Sequence, residues 1–104
     1  MRKARISING QEAGILKELV FSERYVFEYT KRYKGPPVSL TMPLDHGVFE
    51  FDTFPSFFDG LLPEGHQLDG LLRYGKIDRN DFFAQLLAVG DDLVGNVSIK
   101  EMAT

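Results

Sequence analysis

Residues 54–65 read Phe54-Pro55-Ser56-Phe57-Phe58-Asp59-Gly60-Leu61-Leu62-Pro63-Glu64-Gly65, and this stretch decides the fold class. Phe54, Phe57, Phe58, Leu61 and Leu62 fall at i, i+3, i+4, i+7 and i+8, the spacing of one apolar stripe on a helix. Asp52 or Thr53 is placed to cap that helix. Pro55 lies in its first turn, where a missing N–H costs little, and Pro63 ends it by pushing Leu62 out of the helical region. Upstream of the stretch the apolar period is two instead of 3.6.

Working towards the N-terminus, Lys3 to Ile8 sets Ala4, Ile6 and Ile8 against Lys3, Arg5 and Ser7, the alternation of a half-buried strand. Asn9-Gly10 is a reversal signal, because both residues tolerate positive φ. Ala13 to Leu19 supplies the returning strand. Tyr25 to Tyr29 is a third strand, with Tyr25, Phe27 and Tyr29 on one face. Gly35-Pro36-Pro37 breaks the pattern, Val38 to Met42 reads as a short strand stopped by Pro43, and Asp45-His46-Gly47 turns into a strand at Val48 to Phe51. Downstream, a second helix is expected over Gln67 to Tyr74, with Leu68, Leu71 and Leu72 inward and Gly75 past its end. A third runs from about Arg79 to Val89, capped by Asp78 or Asn80, with Phe82, Phe83, Leu86 and Leu87 as its stripe and Gly90 closing it. Asp91-Asp92 reads as a turn, and Asn96 to Lys100 as a last strand returning to the sheet. The expected fold is α+β: an antiparallel sheet from the N-terminal half and the C-terminal strand, with about three short helices packed against it. It forms one domain over residues 1–104. Phe54, Phe57, Phe58, Leu61, Leu62, Phe82 and Leu86 are the expected structural core.

Composition bounds what such a domain does. The chain is 43% hydrophobic and 26% charged, with nine Phe, four Tyr and no Cys. That is an ordinary globular balance, and the missing cysteines favour a reducing compartment. The basic start Met1-Arg2-Lys3-Ala4-Arg5 runs into Ile6-Ser7-Ile8-Asn9-Gly10, which is not a signal peptide. No run approaches the ~20 apolar residues of a membrane span, so the expected location is the cytoplasm. The net charge of −3 speaks against a dedicated nucleic-acid binder, although it is unevenly spread. Residues 1–37 carry eight Lys/Arg against four Asp/Glu, and residues 38–104 carry four against eleven. An acidic face of that kind steers towards a basic partner surface.

Most catalytic machinery is excluded by inventory. Without Cys there is no thiolate nucleophile or thiolate metal site. His46 and His66 stand twenty residues apart with no helical partner. No phosphate-cradling glycine motif is present, and neither Ser39 nor Ser56 lies in a nucleophile elbow. Lys31-Arg32-Tyr33-Lys34 is better read as a solvated strand end than as a nucleic-acid contact. The expectation is a binding protein, with no catalytic residues, cofactor or metal. Its one distinctive surface is the turn after the first helix. Pro63 and Gly65 stiffen it, so that Pro63, Glu64, Gly65, His66 and Gln67 form the candidate partner-binding site.

In three places the sequence resembles a known family. Pro37-Val38-Ser39-Leu40-Thr41-Met42-Pro43-Leu44 resembles the P-L-S-L-S-L-P-L stretch of HipA-type serine/threonine kinases, the toxins of bacterial toxin–antitoxin modules. Phe57-Phe58-Asp59-Gly60-Leu61-Leu62-Pro63-Glu64-Gly65 is similar to that family's F-F-D-N-L-L-P-E-G signature. Asp81-Phe82-Phe83-Ala84-Gln85-Leu86-Leu87 followed by Val89-Gly90-Asp91-Asp92-Leu93-Val94-Gly95-Asn96-Val97 is similar to D-x-x-A-L-L-x-x-V-G-x-D-x-x-G-A-V. Gly14-Ile15-Leu16 and Phe27-Glu28-Tyr29 match weaker positions in register. The match is to the small N-terminal subdomain, before the kinase lobes begin.

The resemblance implies the split, three-gene arrangement, in which this subdomain is a separate small antitoxin (HipS) beside a shortened kinase toxin (HipT) and a helix-turn-helix protein (HipB). The implied function is binding and neutralising a HipT-like kinase; the alternatives are a structural or activating subunit of that kinase, or the N-terminal fragment of a full-length HipA-type kinase. A HipB-like protein would share the complex, with no direct nucleic-acid or membrane contact. Leu68 stands where many relatives place Arg, and Gly60 where Asn is common, so docking through that Arg is not implied here.

Overall fold

The computed structural model describes residues 1–90 and 96–102; the expected Asp91-Asp92 turn lies outside the described residues. Five strands, β1 (Arg2–Ile8), β2 (Gln11–Val20), β3 (Arg24–Tyr29), β4 (Val48–Phe51) and β5 (Val97–Met102), form one antiparallel sheet in the order β4-β3-β2-β1-β5. Asn9 and Gly10 turn β1 into β2 with φ of 53° and 80°, as the reversal signal requires. Alternation then decides the faces. Ala4, Ile6, Ile8, Leu16, Tyr25, Phe27, Tyr29 and Ile99 are all buried on one side, with Ala4 opposite Leu16, Leu16 opposite Phe27 and Ile6 opposite Ile99. The other side carries Arg5, Lys17, Glu28, Glu50 and Lys100, with ion pairs from Arg5 to Glu12 (2.6 Å) and from Lys17 to Glu28 (3.4 Å).

Of three helices, α1 (Ser56–Asp59), α2 (Gly65–Gly75) and α3 (Phe82–Val89), α1 and α3 cover the apolar face through Phe58, Phe83 and Leu86, all fully buried, and α2 packs against α3. Two glycines permit close approach. A Cβ on Gly14 would lie 2.5 Å from the Glu28 carbonyl oxygen and 2.7 Å from the Phe27 ring. One on Gly90 would overlap the Ile99 carbonyl, where the end of α3 meets β5 and the Ile99 N–H donates to the Gly90 carbonyl at 3.1 Å.

Several expected elements differ. Val38 to Met42 is not a strand; a single bridge between Ser39 and Met42 closes a tight turn, with the Met42 N–H on the Ser39 carbonyl at 3.0 Å. The Tyr29 hydroxyl causes this, because it accepts from the Val38 N–H at 2.8 Å and donates to the Met42 carbonyl, gathering the segment at both ends. The first helix is shorter than its stripe. Pro55 is its N-cap and no side chain caps it, so neither Asp52 nor Thr53 has that role. After Gly60, Leu61 and Leu62 continue as a tight turn, their N–H groups donating to Phe58 and Asp59 carbonyls at 3.0 and 3.1 Å. Of the stripe only Phe58 is fully buried; Phe54, Phe57, Leu61 and Leu62 are half-buried against the core.

The second helix begins at Gly65, two residues earlier than expected, and ends on Lys76 in the left-handed conformation (φ 54°). It contains no fully buried residue; Leu68, Leu71 and Leu72 are half-buried. The third begins at Phe82 with Asp81 as its cap, the carboxylate accepting from the Ala84 N–H at 3.1 Å. Asp78 instead accepts from the Asn80 N–H at 2.7 Å and shapes the preceding turn. Phe83 and Leu86 reach the core, whereas Phe82 is half-buried and packs against Phe54 with ring centroids 5.7 Å apart.

Candidate partner-binding turn and the cleft behind it

The turn between α1 and α2 is a short extended break. Glu64 adopts φ −129° and ψ 164°, and Gly65 then takes φ +59°, a conformation that suits glycine because it has no Cβ to clash. Glu64, Gly65, His66 and Gln67 are exposed and Pro63 is half-buried, so the five residues predicted from sequence form one continuous strip. His66 and Gln67 stand on the first turn of α2 and not in a loop, which fixes their backbone. No side chain caps that helix, leaving its first N–H groups open to a partner.

Behind the strip lies a cleft of about 250 Å³, walled by Leu62 and Pro63 on one side, Leu68 of α2 above, and Phe82 and Gln85 of α3. Its rigidity comes from long-range anchors. Gln85, 2% exposed, donates from Nε2 to the carbonyls of Asp78 (3.2 Å) and Arg79 (3.0 Å), pinning the turn before α3. Arg79 pairs with Asp69 at 3.0 Å and so ties that turn to α2. The Ser22 hydroxyl donates to the Asn80 carbonyl at 3.1 Å. Arg2 completes the frame. Its guanidinium donates to Glu18 at 2.8 Å and to both carboxylate oxygens of Asp81 at 2.8 and 3.2 Å, and lies over the Phe83 ring at 5.1 Å. Burial alone would lower the Arg2 pKa, but its bonds to Asp81 and Glu18 outweigh this and raise it. Next to this network the Tyr25 hydroxyl is buried without a hydrogen-bond partner among the described residues, and desolvation, then the Glu18 charge, pushes its pKa up to about 12. Tyr25 meets Phe54 edge to ring and Phe54 packs tilted on Phe82, a chain of rings that links the sheet to the cleft wall.

Sequence reasoning missed two surface features. Leu40, read as a strand residue, is 95% exposed at the tip of the Ser39–Met42 turn, and Tyr74 is exposed on α2. The cleft itself was also missed. Its only sequence trace is Gln85, a lone amide in an otherwise apolar helix. Among the described residues, no cluster of three His, Asp or Glu side chains is arranged to hold a metal, and no helix is long and apolar enough to cross a membrane.

Comparison with known proteins identifies the fold's relatives. An uncharacterized protein of Haemophilus influenzae is 32% identical over 101 residues, covering 97% of this chain and 93% of that protein. The solved structure of the N-terminal domain of HipA toxin superposes with a TM-score of 0.77 at 28% identity, covering all of this chain and 95% of that one. The family model for the HipA N-terminal domain matches residues 4–100. The chain therefore belongs to the HipA N-terminal domain family.

Proposed function

We propose that this domain is an antitoxin that docks on a HipA-like serine/threonine kinase and holds it inactive, acting as a binding protein and not as an enzyme. Family membership supports the kind of partner, and the Haemophilus influenzae relative supports a small separate protein, since this domain spans 93% of its length. The observation that carries the reading is the strip Pro63–Gln67: exposed from Glu64 to Gln67, uncapped, and stiffened by Pro63, Gly65 and the first turn of α2. A rigid projection loses little conformational freedom on binding, which is what an inserted inhibitory element needs. In the complex, His66 is the tip residue, with Glu64 and Gln67 flanking it. The partner is a shortened, HipT-like kinase in the cytoplasm, joined by a HipB-like helix-turn-helix protein.

Co-expression with such a kinase tests the reading. The wild-type domain is expected to restore growth. His66→Ala and Glu64→Ala together are expected to weaken binding by about tenfold or more, the scale of an interface hot spot, and to impair rescue. Undiminished rescue by both variants would remove the tip from the mechanism.

A further inference from the structure

We propose that the cleft behind the turn receives an arginine side chain of the partner protein; this rests on the docking reading and adds the chemistry of one contact. Three acceptors border the same space. The carboxylates of Asp59 and Glu64 line it, and among the described residues neither takes part in an ion pair or a side-chain hydrogen bond. Gln85 is the third. Its Nε2 is held by two backbone carbonyls, which fixes the orientation of the amide and leaves Oε1 as an acceptor that no described residue supplies with a donor. That side chain is 2% exposed and is one of the residues lining the cleft.

Leu62, Pro63, Leu68 and Phe82 supply the apolar part of the wall, and Asn80 also borders it. Arg79 also lines the cleft, but Asp69 engages its guanidinium at 3.0 Å. Acceptors without donors, surplus negative charge and an aromatic wall together describe a guanidinium site. A guanidinium offers five N–H donors and no acceptor, stacks its flat faces on rings, and follows an apolar stem. An ammonium satisfies the charge but has neither the flat face that stacks on the ring nor the five-donor fork, and an anion is repelled. At about 250 Å³ the cleft lies below the roughly 300–1,000 Å³ of small-ligand sites and suits one side chain. Pro63 and Glu64 border both cleft and turn, so an arginine seated here clamps the turn to the partner.

The test is an NMR titration of the full, ¹⁵N-labelled chain with N-acetyl-argininamide, using N-acetyl-lysinamide and sodium chloride at equal ionic strength as controls. The expected result is saturable shifts of the Gln85 side-chain amide and of backbone amides around Leu62–Leu68 and Phe82. Asp59→Asn and Glu64→Gln, both at exposed positions that leave the fold intact, should each weaken binding several-fold. Shifts that the lysine probe or salt reproduce, or that survive both substitutions, would overturn the proposal. Kinase binding separates the two readings. If the kinase binds and Asp59→Asn leaves that binding unchanged, the arginine pocket fails and docking stands. If argininamide binds but no kinase does, the docking reading fails.

Discussion

Replacing Arg2 by Met tests whether the frame behind the turn is held as described. The methionine keeps an apolar stem against Phe21 and Phe83, whose rings lie 5.3 and 5.1 Å from the guanidinium, and removes only the charge and its donors. Glu18 is 4% exposed and would keep only the Ser22 N–H at 3.3 Å, while Asp81 would still cap α3. Breaking a fully buried pair costs about 3–5 kcal/mol. Because Arg2 is 30% exposed, water can reach part of the site, and the figure is reduced to about 2–3 kcal/mol. For a domain of this size that corresponds to a melting temperature lower by ~10–20 °C. Thermal and urea denaturation followed by circular dichroism measure it. Arg2→Met with Glu18→Gln removes both charges and should recover most of the loss. A loss below about 0.5 kcal/mol in the single variant, or no recovery in the double, would refute the argument.

Three further outcomes follow from the packing. The Tyr25 hydroxyl has a pKa of about 12 in the folded state against about 10 unfolded, so its contribution is full below pH ~10 and is lost as pH rises towards 12. Urea denaturation should show up to about 2–3 kcal/mol less stability at the alkaline end, and Tyr25→Phe should lose less while matching or exceeding wild type at pH 7. Gly90→Ala should destabilise by about 2–3 kcal/mol through collision with the Ile99 carbonyl, whereas Gly70→Ala, with open space around its Cβ, should stabilise by about 0.5–1 kcal/mol. Tyr29→Phe strips the hydrogen bonds to Val38 and Met42; about 1–3 kcal/mol is expected, with faster protease cleavage near Leu40.

The sheet was legible because alternation is a local signal. Ala4, Ile6 and Ile8 announce their face without reference to the rest of the chain, and Asn9-Gly10 announces the reversal. The helical half was legible in type but less so in extent. The stripe from Phe54 to Leu62 does meet the core, yet Gly60 and Pro63 close the helix early, so the same side chains arrive from a turn. Val38 to Met42 misled because its shape is set by the hydroxyl of Tyr29, nine residues before Val38. Asp81 was missed as a cap because Asp78 and Asn80 are equally good caps by residue type, and they make a turn of their own. The exposed strip Pro63–Gln67 could be read from Pro and Gly. The cleft could not, because Asp59, Glu64 and Gln85 meet only after α1, α2 and α3 pack.

The most direct measurement is the affinity of the purified domain for a HipA-family kinase that lacks its own N-terminal domain, read together with kinase activity in the same titration. The account predicts a stoichiometric complex in which activity falls as the domain binds, and in which the paired His66→Ala and Glu64→Ala substitutions weaken both effects together. A domain that binds but raises the kinase's activity would contradict it, as would inhibition indifferent to every residue from Pro63 to Gln67.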